Sequence, residues 1–173
     1  STNGGAAWSA VNTGLTDTHI RALAIDPQNP QILYAGTFEN GVFKSTDGGG
    51  NWTRMITGIQ ETSRGIQAIA VDPTNSDVAY IAVFDGATDS PVGLYKTTDG
   101  GETWGAFDTD QNDNSFYTIA IDPLTPTTLY AGTSGDGVFK STNGGGNWSA
   151  INTGLSANDV QSLAIDPVTP TTL

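Results

Sequence analysis

Residues 45–52 read STDGGGNW, and close copies of this octapeptide occur at 1–8, 97–104 and 141–148. Each copy ends in a tryptophan, and together they contain all four tryptophans of the chain. A catalytic loop is needed once, whereas a turn that recurs at regular intervals is typical of a repeat architecture. We call these octapeptides box 1 (1–8), box 2 (45–52), box 3 (97–104) and box 4 (141–148).

An Asp-Pro pair is the second recurring marker, at 26–27, 72–73, 122–123 and 166–167. Between the two markers the sequence aligns with itself: IRALAIDP matches IQAIAVDP, ILYAGT matches TLYAGT, and GVFKST matches GLYKTT. The box tryptophans are spaced 44, 52 and 44 residues apart. The whole chain, 1–173, therefore divides into repeats at 16–59, 60–111 and 112–155, with partial repeats at 1–15 and 156–173.

Each repeat contains four short segments rich in β-branched and aromatic residues, which we label A to D; in the first repeat they are IRALAID, ILYAGT, GVFKST and NWTRMIT. None shows a helical period, and turn residues separate them, so they are predicted to be strands. Proline closes segment A because it cannot donate to a continuing ladder. The sequence predicts an all-β propeller of four-stranded antiparallel blades, about three full blades plus partial blades at both ends.

The box is predicted to be a structural turn. The Asp47 carboxylate can accept backbone N–H bonds from its own turn. The glycines of the box allow positive φ angles. The Trp52 ring is expected to be buried, which would lock the hairpin onto its blade. Asn3 and Asn143 replace the aspartate in boxes 1 and 4, and an amide oxygen accepts in the same way.

The pattern S/T-x-D/N-x-G-x-x-W resembles the Asp-box, or BNR repeat, of the sialidase-like β-propellers, which include xyloglucanase-like hydrolases, sortilin-like receptors and photosystem assembly factors. The residues that carry the resemblance are Ser1, Asn3, Gly5, Trp8, Ser45, Asp47, Gly49, Trp52, Thr97, Asp99, Gly101, Trp104, Ser141, Asn143, Gly145 and Trp148. The resemblance implies a propeller fold. It leaves the function open, because function on such scaffolds is carried by other residues.

Successive turns of a meander alternate between the two ends of a blade. The Asp-Pro turns and the boxes should therefore lie at the same end of the blade, which we call the box end. The variable loops that join segment B to C and segment D to the next A should lie at the opposite end, which we call the loop end. The ligand-binding candidates at the loop end are Phe38, Phe84 and Asp85 in the B–C loops, and Arg21, Gln67, Tyr117 and Gln161 at the start of each segment A. The alternative interpretation is a polar rim that caps the propeller axis.

A calcium site is a weak candidate in the stretch DTDQNDN at 108–114. Asp108, Asp110 and Asn112 stand at alternate positions, as in a calcium-binding loop. The expected glycine and glutamate are replaced by Asp113 and Ile119, which favours a solvated acidic loop. The sequence predicts no other metal and no cofactor.

The net negative charge of the chain limits which molecules can be its binding partners. The net charge is −12 with six Lys and Arg together, a balance that repels nucleic acid and anionic membranes. Cysteine is absent, which excludes disulfides and thiolate metal sites. No apolar run approaches the roughly 20 residues of a membrane span, so membrane insertion is not expected. The predicted partners are protein or glycan.

The resemblance to sialidases does not extend to catalytic residues. That family implies an arginine triad, whereas this chain has three arginines in total, Arg21, Arg54 and Arg64, without the family's arginine motif. Glycoside hydrolysis needs two carboxylates at a defined separation, and no acidic pair stands out. His19, the single histidine, has no companion base in the sequence.

The sequence thus predicts a non-enzymatic interaction module, extracellular or at the cell surface. One alternative is a segment of a glycoside hydrolase, xyloglucanase-like or sialidase-like, whose catalytic residues lie outside this chain. Another is an assembly factor that holds a partner protein. The incomplete terminal repeats predict either self-association or continuation in a longer chain.

Overall fold

The computed structural model describes residues 1–59, 65–85, 90–108 and 116–173. Within these ranges the chain forms strands and turns and contains no helix. The strands are β1 Ile20–Ile25, β2 Leu33–Thr37, β3 Val42–Ser45, β4 Thr53–Arg54, β5 Gly65–Val71, β6 Ala79–Asp85, β7 Ser90–Thr97, β8 Gly105–Asp108, β9 Phe116–Ile121, β10 Leu129–Thr133, β11 Val138–Ser141 and β12 Ser149–Ala150.

These strands form three separate four-stranded sheets, β1–β4, β5–β8 and β9–β12, each an antiparallel meander in sequence order. We call them blades 1, 2 and 3; segments A to D become their first to fourth strands. The first strands contact each other from blade to blade, β1 with β5 and β5 with β9. The prediction of an all-β propeller with four-stranded antiparallel blades is confirmed.

The hydrophobic core lies between the blades. One cluster joins Tyr34 and Val42 of blade 1 to Ile66 and Ile81 of blade 2, all at 0% exposure. A second cluster joins Tyr80 and Leu94 of blade 2 to Phe116 and Leu129 of blade 3, among others. Burying one such side chain contributes about 1.5–3 kcal/mol, so the blade-to-blade interfaces carry most of the apolar stabilisation.

Residues 1–19 and 151–173, which include the terminal partial repeats, contain no strand. A strand requires a ladder partner, and neither the box before Trp8 nor the eight residues after Ile165 supplies one. One face of β1 is not covered by another blade of the described structure, and on β1 Leu23 is 62% and Ile25 55% exposed. Trp8 is 81% exposed.

The side chain at position 47 organises the box 2 turn. Asp47 Oδ1 accepts bonds from Ser45 Oγ at 2.8 Å and from the Asn51 N–H at 2.9 Å, and Asp47 Oδ2 accepts from Asn51 Nδ2 at 2.7 Å. In box 4 the Asn143 amide oxygen accepts the equivalent N–H of Asn147 at 2.9 Å. An amide therefore replaces the carboxylate without loss of the turn.

We expect acid to weaken boxes 2 and 3 selectively. The hydrogen bonds donated by Asn51 and Thr103, with those from the Ser45 and Thr97 hydroxyls, hold the pKa of Asp47 and of Asp99 at about 2. Because both values lie below the ordinary 3.8, the stabilisation is present above pH 4 and is lost as the pH falls towards 2. The double variant Asp47→Asn/Asp99→Asn should lose less in melting temperature between pH 5 and pH 2.5 than the parent chain. Equal losses in the two proteins would show that these carboxylates do not stabilise the fold.

The tryptophans of boxes 2 and 3 each join their own blade to the preceding repeat. The Trp52 N–H donates to Thr13 O at 2.8 Å and its Nε1 donates to Val11 O at 2.9 Å, while the ring packs on Phe43 of its own blade. The Trp104 N–H donates to Thr57 O at 2.8 Å in the same way. The expected lock within one blade is therefore also a clamp between consecutive repeats.

A lysine and a tyrosine of blade 1 reach the box of blade 2. Lys44 Nζ and the Tyr34 hydroxyl donate to Gly100 O at 2.7 and 2.9 Å, which links blade 1 to box 3. Burial, followed by the nearby aspartates, raises the pKa of Tyr34 to about 12. The hydroxyl therefore stays protonated and remains a donor across the ordinary pH range.

Candidate functional site

The structure separates two ends, as meander topology requires. At the box end the box turn bonds the Asp-Pro turn of the same blade, for example Gly48 N to Gln31 O at 2.9 Å. At the loop end the B–C turn bonds the preceding D–A turn, for example Phe38 N to His19 O at 3.0 Å. The variable loops of the described residues thus gather on the face opposite the boxes.

A β-bulge occurs at the start of the first strand in every blade. The register shifts between Ile20 and Ala22, between Ile66 and Ala68, and opposite Gly132 and Thr133, so that Arg21, Gln67 and Tyr117 are the extra residues. A bulge bends its strand and redirects one side chain. The three aligned candidates therefore occupy equivalent backbone positions at the loop end.

Arg21 is the centre of a group that spans blades 1 and 2. Its guanidinium carbon lies 4.4 Å from the ring centroid of Phe38 and 4.4 Å from that of Phe84. Its Nη1 donates to Gln67 Oε1 at 2.7 Å. We call these four residues the Arg21 group. All four were predicted from the sequence as ligand-binding candidates, and the structure brings them into contact.

The Arg21 group runs from a buried ring to an exposed guanidinium. Phe84 is 7% exposed, and a Cβ added at Gly65 would collide with its ring. Phe38 is half-buried, whereas Arg21 is exposed. The two phenyl rings form a tilted pair with centroids 5.7 Å apart and planes at 49°. Phe84 thus supports the group from below, and the guanidinium lies at the surface.

Asp17 holds the neighbouring loops together. Its Oδ1 accepts the His19 N–H at 2.8 Å and its Oδ2 accepts the Glu39 N–H at 3.0 Å, which ties the D–A turn to the B–C turn of blade 1. Burial acts to raise the pKa of Asp17, but these N–H donors and the adjacent His19 lower it below its ordinary value. The carboxylate therefore stays ionised and fixes the loop that carries Phe38.

The other predicted binding residues are Tyr117, Gln161 and Asp85. Tyr117 is half-buried on β9, and Gln161 is exposed in the C-terminal segment. In blade 3, Ser134 takes the place of the two phenylalanines and donates to Asp159 Oδ1 at 3.3 Å. Asp85 ends β6, and the structure describes its backbone alone.

The calcium candidate falls mainly outside the described residues, since Asp110 and Asn112 are not described and Asp108 is described only as the last residue of β8. In the ranges that the structure does describe, no group of three or more acidic or histidine side chains is placed to hold a metal ion. In those ranges, too, no helix has the length and apolar character to cross a membrane.

A recess of about 380 Å³ lies at the box end of the propeller axis. It is lined by aliphatic and proline side chains of the first strands, including Ile25, Ile69, Val71 and Ile121. The side chains near the axis thus differ at its two ends: they are aliphatic or proline near the Asp-Pro turns, and a guanidinium, an amide and a phenol at the bulges.

Two features of the structure were not predicted from the sequence. The dipeptide Thr-Gly stands at the end of three of the four segments D, at 13–14, 57–58 and 153–154. This repetition is the signal that could have revealed the clamp for the box tryptophan. The stacking of Arg21 on a phenylalanine of the next blade has no sequence signal, because it depends on how two repeats are rotated against each other.

The chain is similar to several solved β-propellers. An ancestral GH74 enzyme matches with 28% identity and a TM-score of 0.65, over 80% of this chain and 19% of that one. YCF48 bound to a D1 peptide matches with 18% identity and a TM-score of 0.65, over 86% and 45%. The extracellular domain of a hybrid two component system from B. thetaiotaomicron matches with 16% identity and a TM-score of 0.62, over 90% and 22%.

The chain therefore spans less than half the length of each of these structures. At 18% and 16% identity the latter two likenesses show the fold alone. No protein-family model and no curated protein matches the chain.

Proposed function

We propose that this chain is a non-enzymatic interaction module of the Asp-box propeller type, extracellular or at the cell surface, whose loop end binds protein or glycan. The observation that carries the proposal is the Arg21 group. An exposed cation, an amide and two phenyl rings from two blades converge at the variable end of the axis. Convergent polar and aromatic groups of this kind suit recognition rather than proton transfer.

The similar structures support this proposal by analogy. One of them is a propeller in complex with a peptide, and another is an extracellular domain. Fold-level likeness does not fix a function, so the choice of the loop end rests on the residues of this chain. Because the chain carries a net charge of −12, it would attract a partner with basic groups.

The proposal predicts binding that depends on the loop end. When the chain is tested against glycan and peptide arrays, at least one class should bind, and Gln67→Ala should weaken that binding by about tenfold, because it removes the hydrogen bond that positions the Arg21 guanidinium. The matched control is Gln31→Ala, which removes the same side chain from the box end. Equal affinity of the two variants would place binding elsewhere, and blank arrays would refute the proposed function.

A segment of a glycoside hydrolase is the second candidate, and the observation that favours it is the 28% identity to a GH74 enzyme. In this case the loop end would contribute substrate contacts, with the catalytic carboxylates supplied by residues outside 1–173. A sialidase-like or xyloglucanase-like activity of a longer protein that contains this chain would establish it. Assembly of a partner protein, the third interpretation, is a special case of protein binding at the loop end.

The exposed apolar side chains of β1 indicate that another part of an assembly covers this strand. Its side chains Ile20, Leu23 and Ile25 are exposed, whereas Ile66 and Ile119 on β5 and β9 are covered by the neighbouring blade. We propose that a second copy of the chain or additional repeats cover this face, since an exposed apolar strand otherwise promotes aggregation.

A further inference from the structure

We propose that copies of this chain associate head to tail, with box 1 of one copy docked on blade 3 of another. This inference rests on the proposal that a second copy or additional repeats cover β1, and it specifies the second copy and the residues in contact. The inserted side chain is Trp8 of box 1. The blade 3 docking surface consists of Tyr130, Lys140, Thr153, Gly154 and Leu155.

The Thr-Gly pairs at 13–14 and 57–58 show how a box tryptophan is held. Each threonine carbonyl accepts the N–H of a box tryptophan at 2.8 Å, and a Cβ added to each glycine would collide with the carbonyl oxygen of that tryptophan. The third pair, at 153–154, has the same backbone, with φ +89° at Gly154 against +91° at Gly58. No described residue lies within 4 Å of a Cβ added at Gly154. The third pair therefore has the geometry to hold a box tryptophan that this copy does not supply.

The apolar residue after each Thr-Gly pair packs with the tryptophan that the pair holds. Leu15 packs on the cluster that contains the box 2 tryptophan, and Ile59, at 7% exposure, belongs to the cluster that contains the box 3 tryptophan. Leu155 has the equivalent position after the third pair but is 45% exposed, and Trp8 is 81% exposed. Docking would cover both side chains, and a buried tryptophan is a common source of binding energy at protein interfaces.

A lysine and a tyrosine complete the contact. In blade 1, Lys44 Nζ and the Tyr34 hydroxyl donate to the carbonyl oxygen of the first glycine of box 3 at 2.7 and 2.9 Å. In blade 3, the last described sheet, the equivalent Lys140 Nζ lies 5.2 Å from the ring centroid of Tyr130. The first glycine of box 1 is Gly4, and its carbonyl oxygen would accept from this second pair.

Box 1 already has the conformation of the docked boxes. The Gly5 N–H donates to Ser1 Oγ at 2.9 Å and the Ala7 N–H donates to Asn3 Oδ1 at 3.0 Å. The same two bonds form box 2, both at 2.9 Å. A turn that is ordered before binding loses little entropy on docking.

Head-to-tail docking would also cover β1. Within one chain β5 contacts both β1 and β9, so the first segments of consecutive repeats lie side by side. In the assembly, residues 160–165 of one copy would lie in the same way against β1 of the next copy, where Leu23 and Ile25 are exposed. The two surfaces in contact are different, so each copy keeps one of them for a further copy, as in a ring or a filament.

Sedimentation equilibrium of the full chain, from about 1 μM to 1 mM, tests the inference. The average mass should rise with concentration above that of one copy. Trp8→Ala on the docked side and Leu155→Asp on the receiving side should each weaken association by about thirtyfold, as loss of a central interface contact does. The matched control is Leu124→Ala, which removes an exposed apolar side chain (67%) outside the proposed contact and should leave association unchanged.

Mixing the two variants gives the decisive result. The Trp8→Ala copy keeps its blade 3 surface and the Leu155→Asp copy keeps its box 1, so together they should form a 1:1 dimer and nothing larger, which would also show that both variants are folded. A parent chain that stays monomeric, association that survives either variant, or a mixture that stays monomeric or grows beyond two copies would overturn the inference. Binding at the loop end is tested separately by Gln67→Ala and would stand in each case.

Discussion

Replacing Gly58 with alanine is expected to destabilise the fold by about 3–5 kcal/mol, the range of severe single substitutions. Gly58 has φ +91°, and an added Cβ would lie against the carbonyl oxygen of Trp104, so the backbone of box 3 would have to shift. The substitution would push box 3 away from the Thr57 carbonyl and weaken the contact between blades 1 and 2. Urea unfolding followed by tryptophan fluorescence measures the loss.

Gly154→Ala is the matched control for this prediction. Gly154 occupies the same position of its repeat with φ +89°, but nothing lies within 4 Å of an added Cβ. It therefore reports the left-handed backbone strain alone, about 1–2 kcal/mol. If Gly58→Ala and Gly154→Ala cost the same, the clash with the tryptophan carbonyl contributes nothing and the clamp does not stabilise the propeller.

Trp52→Ala is expected to cost about 3–5 kcal/mol, as truncation of a large buried aromatic side chain does. The Trp52 ring is 8% exposed, packs on Ala35 and Phe43 of blade 1, and donates from Nε1 to Val11 O in the preceding repeat. Its removal therefore leaves a cavity and an unpaired carbonyl at the same interface. The shift in the urea midpoint at constant slope measures the effect.

Trp8→Ala provides the comparison for Trp52→Ala, because Trp8 ends the same motif but is 81% exposed. The change should fall within about 0.5 kcal/mol, as for most surface substitutions. Losses of similar size at the two positions would mean that the box tryptophan stabilises its own hairpin and not the contact between repeats.

Much of the fold was predictable from the sequence because the chain repeats its local signals. The Asp-Pro pair ends each first strand, and the structure shows why: Asp26 Oδ1 accepts the N–H groups of Gln28 and Asn29 at 2.8 and 3.2 Å and turns the chain. The side chain at the third position of the box likewise accepts an N–H group and turns the chain between the third and fourth strands. These bonds join residues two to four positions apart, so the pattern alone is sufficient to predict them.

The terminal segments show where local signals are not sufficient. VQSLAID at 160–166 has the composition of segment A, yet it forms no strand, whereas IQAIAVD at 66–72 contributes to β5. The two differ in their surroundings, because β5 pairs with β6 and contacts β1 and β9. A strand depends on its partner as much as on its own residues.

The candidate site also has one part that the sequence pattern predicts and one part that depends on the packing of the blades. The repeated pattern is sufficient to predict the four-stranded repeat, the turns that end its strands, and the aligned loop-end positions that include Arg21, Gln67, Phe38 and Phe84. The contact of Arg21 in blade 1 with Phe84 and Gln67 in blade 2 is visible only in the folded structure. Turns depend on neighbouring residues of one chain segment, whereas the contact between two blades depends on how their buried faces pack and rotate against each other.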